Sequence, residues 1–161
     1  MTKQEFVIIL LFIFSLFPGF GQANAGSSGP ADTVTSYFEA SRNGDVNIMK
    51  TLMAGSFYEH RKVLLTNNKD YPEFLKKYYQ GVRIAIVSSS IGGIDMVANN
   101  YPKLYERYRR KGGDATAVGI NGVAVVTVSR EFSDGRISNT EYLLKKDEQD
   151  NWKIYEQLLD Q

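Results

Sequence analysis

The sequence predicts a single α+β domain in which N-terminal helices pack on a curved antiparallel sheet, and three observations predict it. The first half of the chain carries apolar residues at helical spacing, in short stretches that end at Gly or Asn. The second half changes to alternating β-branched residues separated by Asn-Gly, Asp-Gly and other polar turns. The chain has 161 residues, a usual size for one domain. Helices followed by hairpin-linked strands are typical of α+β proteins.

The composition excludes several kinds of functional site. The chain contains no Cys, so a thiol nucleophile, a Cys-ligated metal centre and a disulfide framework are all excluded. It contains one His, so a site with several His ligands cannot form within one chain. Its 19 Lys and Arg residues balance 18 Asp and Glu residues, for a formal net charge of +1. We therefore expect no metal, no cofactor and no long-range attraction to nucleic acid.

Residues 1–25 are predicted to be a signal peptide. Lys3 precedes an apolar run over 6–17, which is shorter than the roughly twenty residues that a spanning helix needs. A Pro-Gly pair follows, and an Ala-Asn-Ala pattern at 23–25 fits cleavage by signal peptidase. Glu5 departs from the usual start of such a peptide and leaves an uncleaved N-terminal anchor as the alternative. We expect an exported protein, periplasmic or secreted, with no stable membrane anchor after cleavage.

After a flexible lead at 26–31, the domain is predicted to span 32–161 and to begin with short helices. Asp32 or Thr33 is the expected cap of the first helix, because Asp and Thr accept hydrogen bonds from the first free N–H groups. Apolar spacing and the breaks at Gly and Asn define the others. The four predicted helices cover 33–43, 46–54, 57–65 and 71–79.

The second half of the sequence predicts one strand, then a helix, then a series of further strands. An alternating run over 82–87 predicts a strand that ends in a Ser- and Gly-rich turn at 88–93. Residues 94–100 fit neither pattern, and a face of tyrosines over 101–111 predicts a helix. The strands that follow form an antiparallel meander, and the first two are joined by the hairpin signal Asn121 and Gly122. These predicted strands cover 115–120, 123–132, 137–146 and 152–158.

Two segments of the chain match the two ends of a known kind of domain. Residues 34–45 place an aromatic-bearing helix before a Gly-Asp break, and a second helix follows over 48–52. Residues 141–155 place a polar turn before Trp-Lys-Ile at the start of the last strand. Together they resemble the NTF2-like superfamily, whose cystatin-like cone domains include ketosteroid isomerase, scytalone dehydratase, polyketide cyclases and many exported proteins of unknown role. Neither motif is catalytic, and this fold hosts enzymes and non-enzymes alike.

If the chain is an enzyme, the resemblance implies a carboxylate or His base inside an apolar cone, with a donor beside it. On a helix, Tyr58, Glu59 and His60 would project about 100° apart, so they cannot all face one cavity. Two of the candidate Asp residues follow Gly-rich turns, where Asp commonly caps or closes the turn. The candidate bases are His60, Asp95, Asp114 and Glu131.

Arg130 and three tyrosines are the candidate ligand-binding residues. Strand alternation puts Val126, Val128 and Arg130 on one face. If that face is concave, the Arg130 guanidinium is expected at the mouth of the cone, where it would bind a carboxylate or phosphate. The alternative is an ordinary strand-end Arg. The chain has ten tyrosines, whose rings and hydroxyls suit a pocket, an interface or a half-buried helix face. The three tyrosine candidates are Tyr105, Tyr108 and Tyr142.

One basic cluster covers 107–111, with Lys103 a turn earlier. Export argues against nucleic acid as its partner, so an anionic lipid headgroup or a glycan fits better. Cations are also favourable at a helix C-terminus without any ligand. The leading hypothesis is a non-enzymatic binding or accessory domain that uses its cone pocket or sheet face for a small molecule, peptide or protein. The alternatives are an isomerase, dehydratase or cyclase acting by proton transfer, and a homodimer formed through the open sheet face.

Overall fold

The computed structural model describes residues 29–113 and 122–159. The predicted signal peptide, the predicted strand at 115–120, Asp114 and Asn121 lie outside the described residues. The helices are α1 (Pro30–Asn43), α2 (Val46–Leu52), α3 (Gly55–Glu59), α4 (Lys62–Asn67), α5 (Tyr71–Tyr79), α6 (Ile94–Asn100) and α7 (Pro102–Arg110). The strands are β1 (Arg83–Gly92), β2 (Val123–Glu131), β3 (Ile137–Lys146) and β4 (Trp152–Leu159).

The predicted fold class is confirmed. The four strands form one curved, antiparallel sheet in the order β1-β2-β3-β4, and the sheet is not closed. Strands β1 and β4 are therefore its edges. The predictions for β2, β3 and β4 are correct to within one residue, because alternation and turn residues define each of them. No helix in 29–113 or 122–159 is long and apolar enough to cross a membrane.

The first helix begins earlier than its predicted cap residues. Gly29 is the N-cap and Pro30 takes the first helical position, where its missing N–H costs no hydrogen bond. The Asp32 carboxylate accepts a hydrogen bond from the Gly29 N–H at 2.9 Å. The expectation that Asp32 or Thr33 caps this helix is therefore wrong, because Asp32 reaches back from within the first turn.

The single helix predicted over 57–65 is two helices, α3 and α4, separated at His60 and Arg61. The Arg61 N–H donates to the carbonyl of Tyr58 at 2.9 Å, which is a tighter turn than an α-helix makes. The Arg61 guanidinium donates to the carbonyl of Phe57 at 3.1 Å. In a continuing helix, the backbone N–H of Arg61 would donate to this carbonyl oxygen. Here the Arg61 side chain donates to it instead.

The remaining differences lie between residues 82 and 100. Strand β1 does not end at 87 but runs through the serines to Gly92, because residues 88–90 pair with 127–125 of β2 across a bulge. The unassigned segment 94–100 is α6, and the helix predicted over 101–111 is confirmed as α7.

Helices cover both faces of the sheet. We call the face that contacts α1–α5 the inner face, and the face that contacts α6 and α7 the outer face. The inner face carries Val126, Val128 and Tyr142, and the outer face carries Val125 and Leu143. The predicted alternation along β2 is therefore correct. Helices α6 and α7 occupy part of the face through which a homodimer is predicted.

Candidate functional site

The structure does not bring the candidate bases together. His60 lies at the C-terminal end of α3, Asp95 is exposed in the first turn of α6, and Glu131 is exposed at the end of β2. Glu131 pairs with Arg83, with 3.6 Å between its Oε2 and the Arg83 Nη1. No hydrogen bond or ion pair joins any two of these three described residues, and Asp114 lies outside the described residues.

The inner face is filled by aromatic rings. The Tyr142 ring meets the rings of Phe38 and Phe57 edge-on, with centroids 5.8 Å and 6.2 Å apart. Burial raises the pKa of Tyr142 well above its ordinary value, so its hydroxyl stays protonated. Within 29–113 and 122–159, Glu156 is the one buried Asp or Glu.

Arg130 lies on the inner face, as alternation predicts, but in a buried position instead of an open mouth. Its Nη2 donates to the hydroxyls of Ser138 at 3.2 Å and Thr140 at 3.0 Å. Its Nε is buried and has no hydrogen-bond partner.

The three candidate tyrosines lie on opposite sides of the sheet. Tyr142 faces inward, whereas Tyr105 and Tyr108 of α7 belong to the cluster on the outer face. The Tyr108 hydroxyl accepts a hydrogen bond from Lys145 Nζ at 3.0 Å. These tyrosines therefore do not form one site with Arg130.

A cleft of about 370 Å³ is lined by four charged side chains and by His60. It lies between the α3–α4 junction, the start of α5, α7 and β4. We call it the basic cleft. Its charged and titratable lining residues are His60, Arg61, Arg107, Lys111 and Glu156, and its apolar lining residues include Leu64 and Tyr71.

Glu156 is the centre of the basic cleft, and its side chain is only 1% exposed. Its carboxylate accepts hydrogen bonds from Arg107 Nε at 3.1 Å and Lys111 Nζ at 3.0 Å. The Ser56 hydroxyl and the Gln157 N–H also donate to it, each at 3.0 Å. Burial alone would raise the pKa of Glu156, but these four donors outweigh burial and lower it. Glu156 is therefore ionised at neutral pH.

The opposite wall of the cleft is cationic and aromatic. The Arg61 guanidinium lies 3.7 Å from the centre of the Phe57 ring, which holds it by a cation–π contact. The Nδ1 of His60 lies 2.6 Å from the carbonyl oxygen of Ser56. A carbonyl oxygen only accepts, so this contact is a hydrogen bond in the tautomer that carries its proton on Nδ1. Burial raises the pKa of Tyr71, and the charge of Arg61 opposes this shift.

The charges of the basic cleft do not cancel. Arg61, Arg107 and Lys111 are three cations, and Glu156 is one carboxylate, so these four residues carry an excess of two positive charges. Glu156 bonds Arg107 through Nε alone, and a guanidinium has four further N–H groups. The arrangement can bind an anion. In the described parts of the chain, no group of three or more His, Asp and Glu residues could hold a metal ion.

No protein-family model matches the chain, and neither a curated protein nor a solved structure matches it. The resemblance to the NTF2-like superfamily therefore stays a prediction, and the α+β fold is what the structure shows.

The sequence reasoning missed Glu156. Simple alternation places it on the same face as Trp152 and Ile154, which are buried on the inner face. The register shifts between Leu143 and Leu144, so that Glu156 pairs with Leu143 of the outer face. A carboxylate two residues after a buried Ile was the available signal, because such a group needs partners when it is buried.

Proposed function

We propose that the protein is an exported, non-enzymatic binding domain of the NTF2-like type that holds an anionic group of its ligand in the basic cleft. One observation carries the proposal: buried Glu156 fixes Arg107 and Lys111 beside a cleft that keeps an excess of positive charge.

The position of Glu156 supports a binding role for its two cations. A buried carboxylate is costly unless it is paired and hydrogen-bonded, and here Ser56 of α3 and two cations at the end of α7 donate to it. The result is a pair of basic side chains held in one geometry before any ligand arrives. Prior ordering of this kind reduces the entropy that binding would otherwise cost.

The pKa of Glu156 favours binding over proton transfer. An enzyme that uses a carboxyl group as an acid near neutral pH raises its pKa by burial or by a second carboxylate. The donors around Glu156 lower its pKa instead. The alternative of an isomerase, dehydratase or cyclase therefore has less support than a binding module.

The size and chemistry of the cleft favour a small anionic group. Its volume of about 370 Å³ lies within the range of small-molecule sites. Guanidinium and ammonium groups bind phosphate and carboxylate oxygens by charge-assisted hydrogen bonds. Tyr71 and Leu64 add apolar contacts for the rest of a ligand.

Titration calorimetry of the purified protein with inorganic phosphate tests the proposal. We expect one phosphate per chain and a loss of affinity of about tenfold or more in Arg107→Gln. The matched control is Arg109→Gln, on the same helix and outside the lining of the basic cleft. The proposal fails if the two variants bind phosphate equally well, or if the unmodified protein binds none.

A further inference from the structure

A row of aromatic side chains leads out of the basic cleft along α5. The rings of Tyr71 and Phe74 are 6.0 Å apart and nearly parallel, at 16°. Phe74 and Tyr78 are 5.9 Å apart at 27°, and Tyr78 meets Phe132 edge-on at 6.2 Å. Tyr71 also lines the cleft. We call these four residues the aromatic strip. It is continuous with the cleft, and its α5 part is about 10 Å long at 1.5 Å per residue.

The middle of the aromatic strip is open to solvent. Phe74 is 56% exposed and Tyr78 is 43% exposed, and Leu64 at the cleft is 41% exposed. Single exposed apolar residues are ordinary, but a connected row beside a charged pocket indicates an interaction surface. The core does not require Phe74 or Tyr78, because α5 already packs Tyr71, Leu75 and Tyr79 against the inner-face cluster.

Lysines accompany the strip. Residues 69–78 carry three lysines against Asp70 and Glu73, so the segment has a net charge of +1. Helical spacing puts Lys77 beside Phe74 and Tyr78 and Lys76 on another side of α5, and Lys69 lies just before the helix. Lys76 pairs with Glu73 at 2.7 Å, whereas no ion pair joins Lys69 or Lys77 to a described residue. Exposed aromatic rings with lysines beside them are typical of surfaces that lie on a membrane, where the rings enter the headgroup region and the lysines attract anionic lipid.

We propose that the protein docks on a membrane containing anionic phospholipid, with a lipid headgroup phosphate in the basic cleft and Phe74 and Tyr78 in the interfacial layer. The inference rests on the proposed function, since the same cleft supplies the anion site. The positive charge of the cleft and of the strip favours an anionic membrane as the partner of this surface. The cleft has an excess of positive charge at one end of the strip, and the segment that carries the strip on α5 has a net charge of +1 with Lys77 beside the rings.

Sedimentation with lipid vesicles tests the inference. One set of vesicles contains phosphatidylcholine and the other an equal mixture of phosphatidylcholine and phosphatidylglycerol. We expect binding to the mixed vesicles to be tighter by about tenfold or more. The double variant Phe74→Ser, Tyr78→Ser should lose this binding while its affinity for inorganic phosphate stays unchanged. The control is Ile48→Ser, which changes an exposed apolar residue of α2, 48% exposed, and should bind like the unmodified protein.

A second measurement reports insertion directly. In Phe74→Trp, the emission of the new indole should shift to shorter wavelength on mixed vesicles, and Trp152 in the unmodified protein gives the background because it is buried. Phosphate binding without a preference for mixed vesicles overturns the inference and leaves the proposed function standing. Undiminished vesicle binding by the double variant also overturns it. If Arg107→Gln binds phosphate normally, the proposed function and the inference both fail.

Discussion

Glu156 keeps its charge inside the domain because donors from α3, from the end of α7 and from the next residue of its own strand surround it. Ser56 belongs to α3, Arg107 to α7, and Lys111 follows α7 directly. Removing one partner of a buried ion pair is costly, because the other partner is left without compensation. The Glu156 carboxylate therefore stabilises the folded domain and also holds Arg107 and Lys111 in place.

The substitution Glu156→Gln is expected to lower the free energy of unfolding by about 3 kcal/mol at neutral pH. The folded pKa of Glu156 is below its ordinary value of 4.5, so its stabilisation is present above that value and is lost as pH falls through the folded pKa. Urea unfolding at several pH values should show a gap between variant and unmodified protein that closes in this acid range. Glu131→Gln, at an exposed carboxylate, serves as the control and should change stability by about 0.5 kcal/mol or less. A gap that stays constant down to the lowest pH would contradict the assignment.

Some residues of the basic cleft can be predicted from the sequence, but the contacts between their side chains cannot. Residues 107–111 stand out as a basic cluster, and the face of Arg130 follows from alternation. The partner of Arg107 is 49 residues away and depends on a bulge, which no local spacing reveals. One hypothesis places Arg130 at an open mouth and the alternative makes it an ordinary strand-end Arg, whereas the structure buries it with hydrogen bonds to Ser138 and Thr140 of β3.

Helix α3 packs closely on strand β4 where Gly55 approaches the ring of Tyr155. The φ of Gly55 is 53°, and a Cβ there would lie 2.7 Å from Tyr155 Cδ1. The same approach brings Ser56 within hydrogen-bond distance of Glu156. Gly55 therefore lets α3 begin close enough to β4 for Ser56 to contact Glu156 in the basic cleft.

Gly55→Ala is expected to lower the free energy of unfolding by about 3 kcal/mol, because the left-handed backbone strain adds to a clash with Tyr155. The control Gly135→Ala has a similar φ of 81° and open space around the added Cβ, so it should cost about 1 kcal/mol. Chemical unfolding of both variants measures the difference. Equal losses would mean that Tyr155 yields easily and that α3 is not fixed at this point.

The elements that the sequence predicted well are those with strong local signals. Helices α5 and α7 have clear apolar faces and a Pro in the first turn, and β2 to β4 are bounded by turn residues. At the break between α3 and α4, the Arg61 side chain bonds the carbonyl of Phe57 and the Arg61 N–H bonds that of Tyr58, contacts that apolar spacing does not reveal. The extension of β1 through its serines depends on pairing with β2, because strand formation follows the neighbouring strand more than intrinsic preference.

At the scale of the whole molecule, the basic cleft forms where two helical layers meet. Helices α3 and α5 belong to the inner layer and α7 to the outer layer. Strand β4 is an edge of the sheet, so side chains from both layers can reach Glu156 around that edge. A near-neutral chain thereby concentrates positive charge in one place.

A nuclear magnetic resonance titration with inorganic phosphate would locate the anion site within the domain and so test whether it is the basic cleft. We expect saturable shifts that are largest at the amides of Lys111 and Gln157 and at the imidazole of His60, and we expect Arg107→Gln to remove them. Shifts centred on Arg130 and Ser138, or unsaturated shifts spread over the exposed lysines, would contradict the assignment of the anion site to the basic cleft.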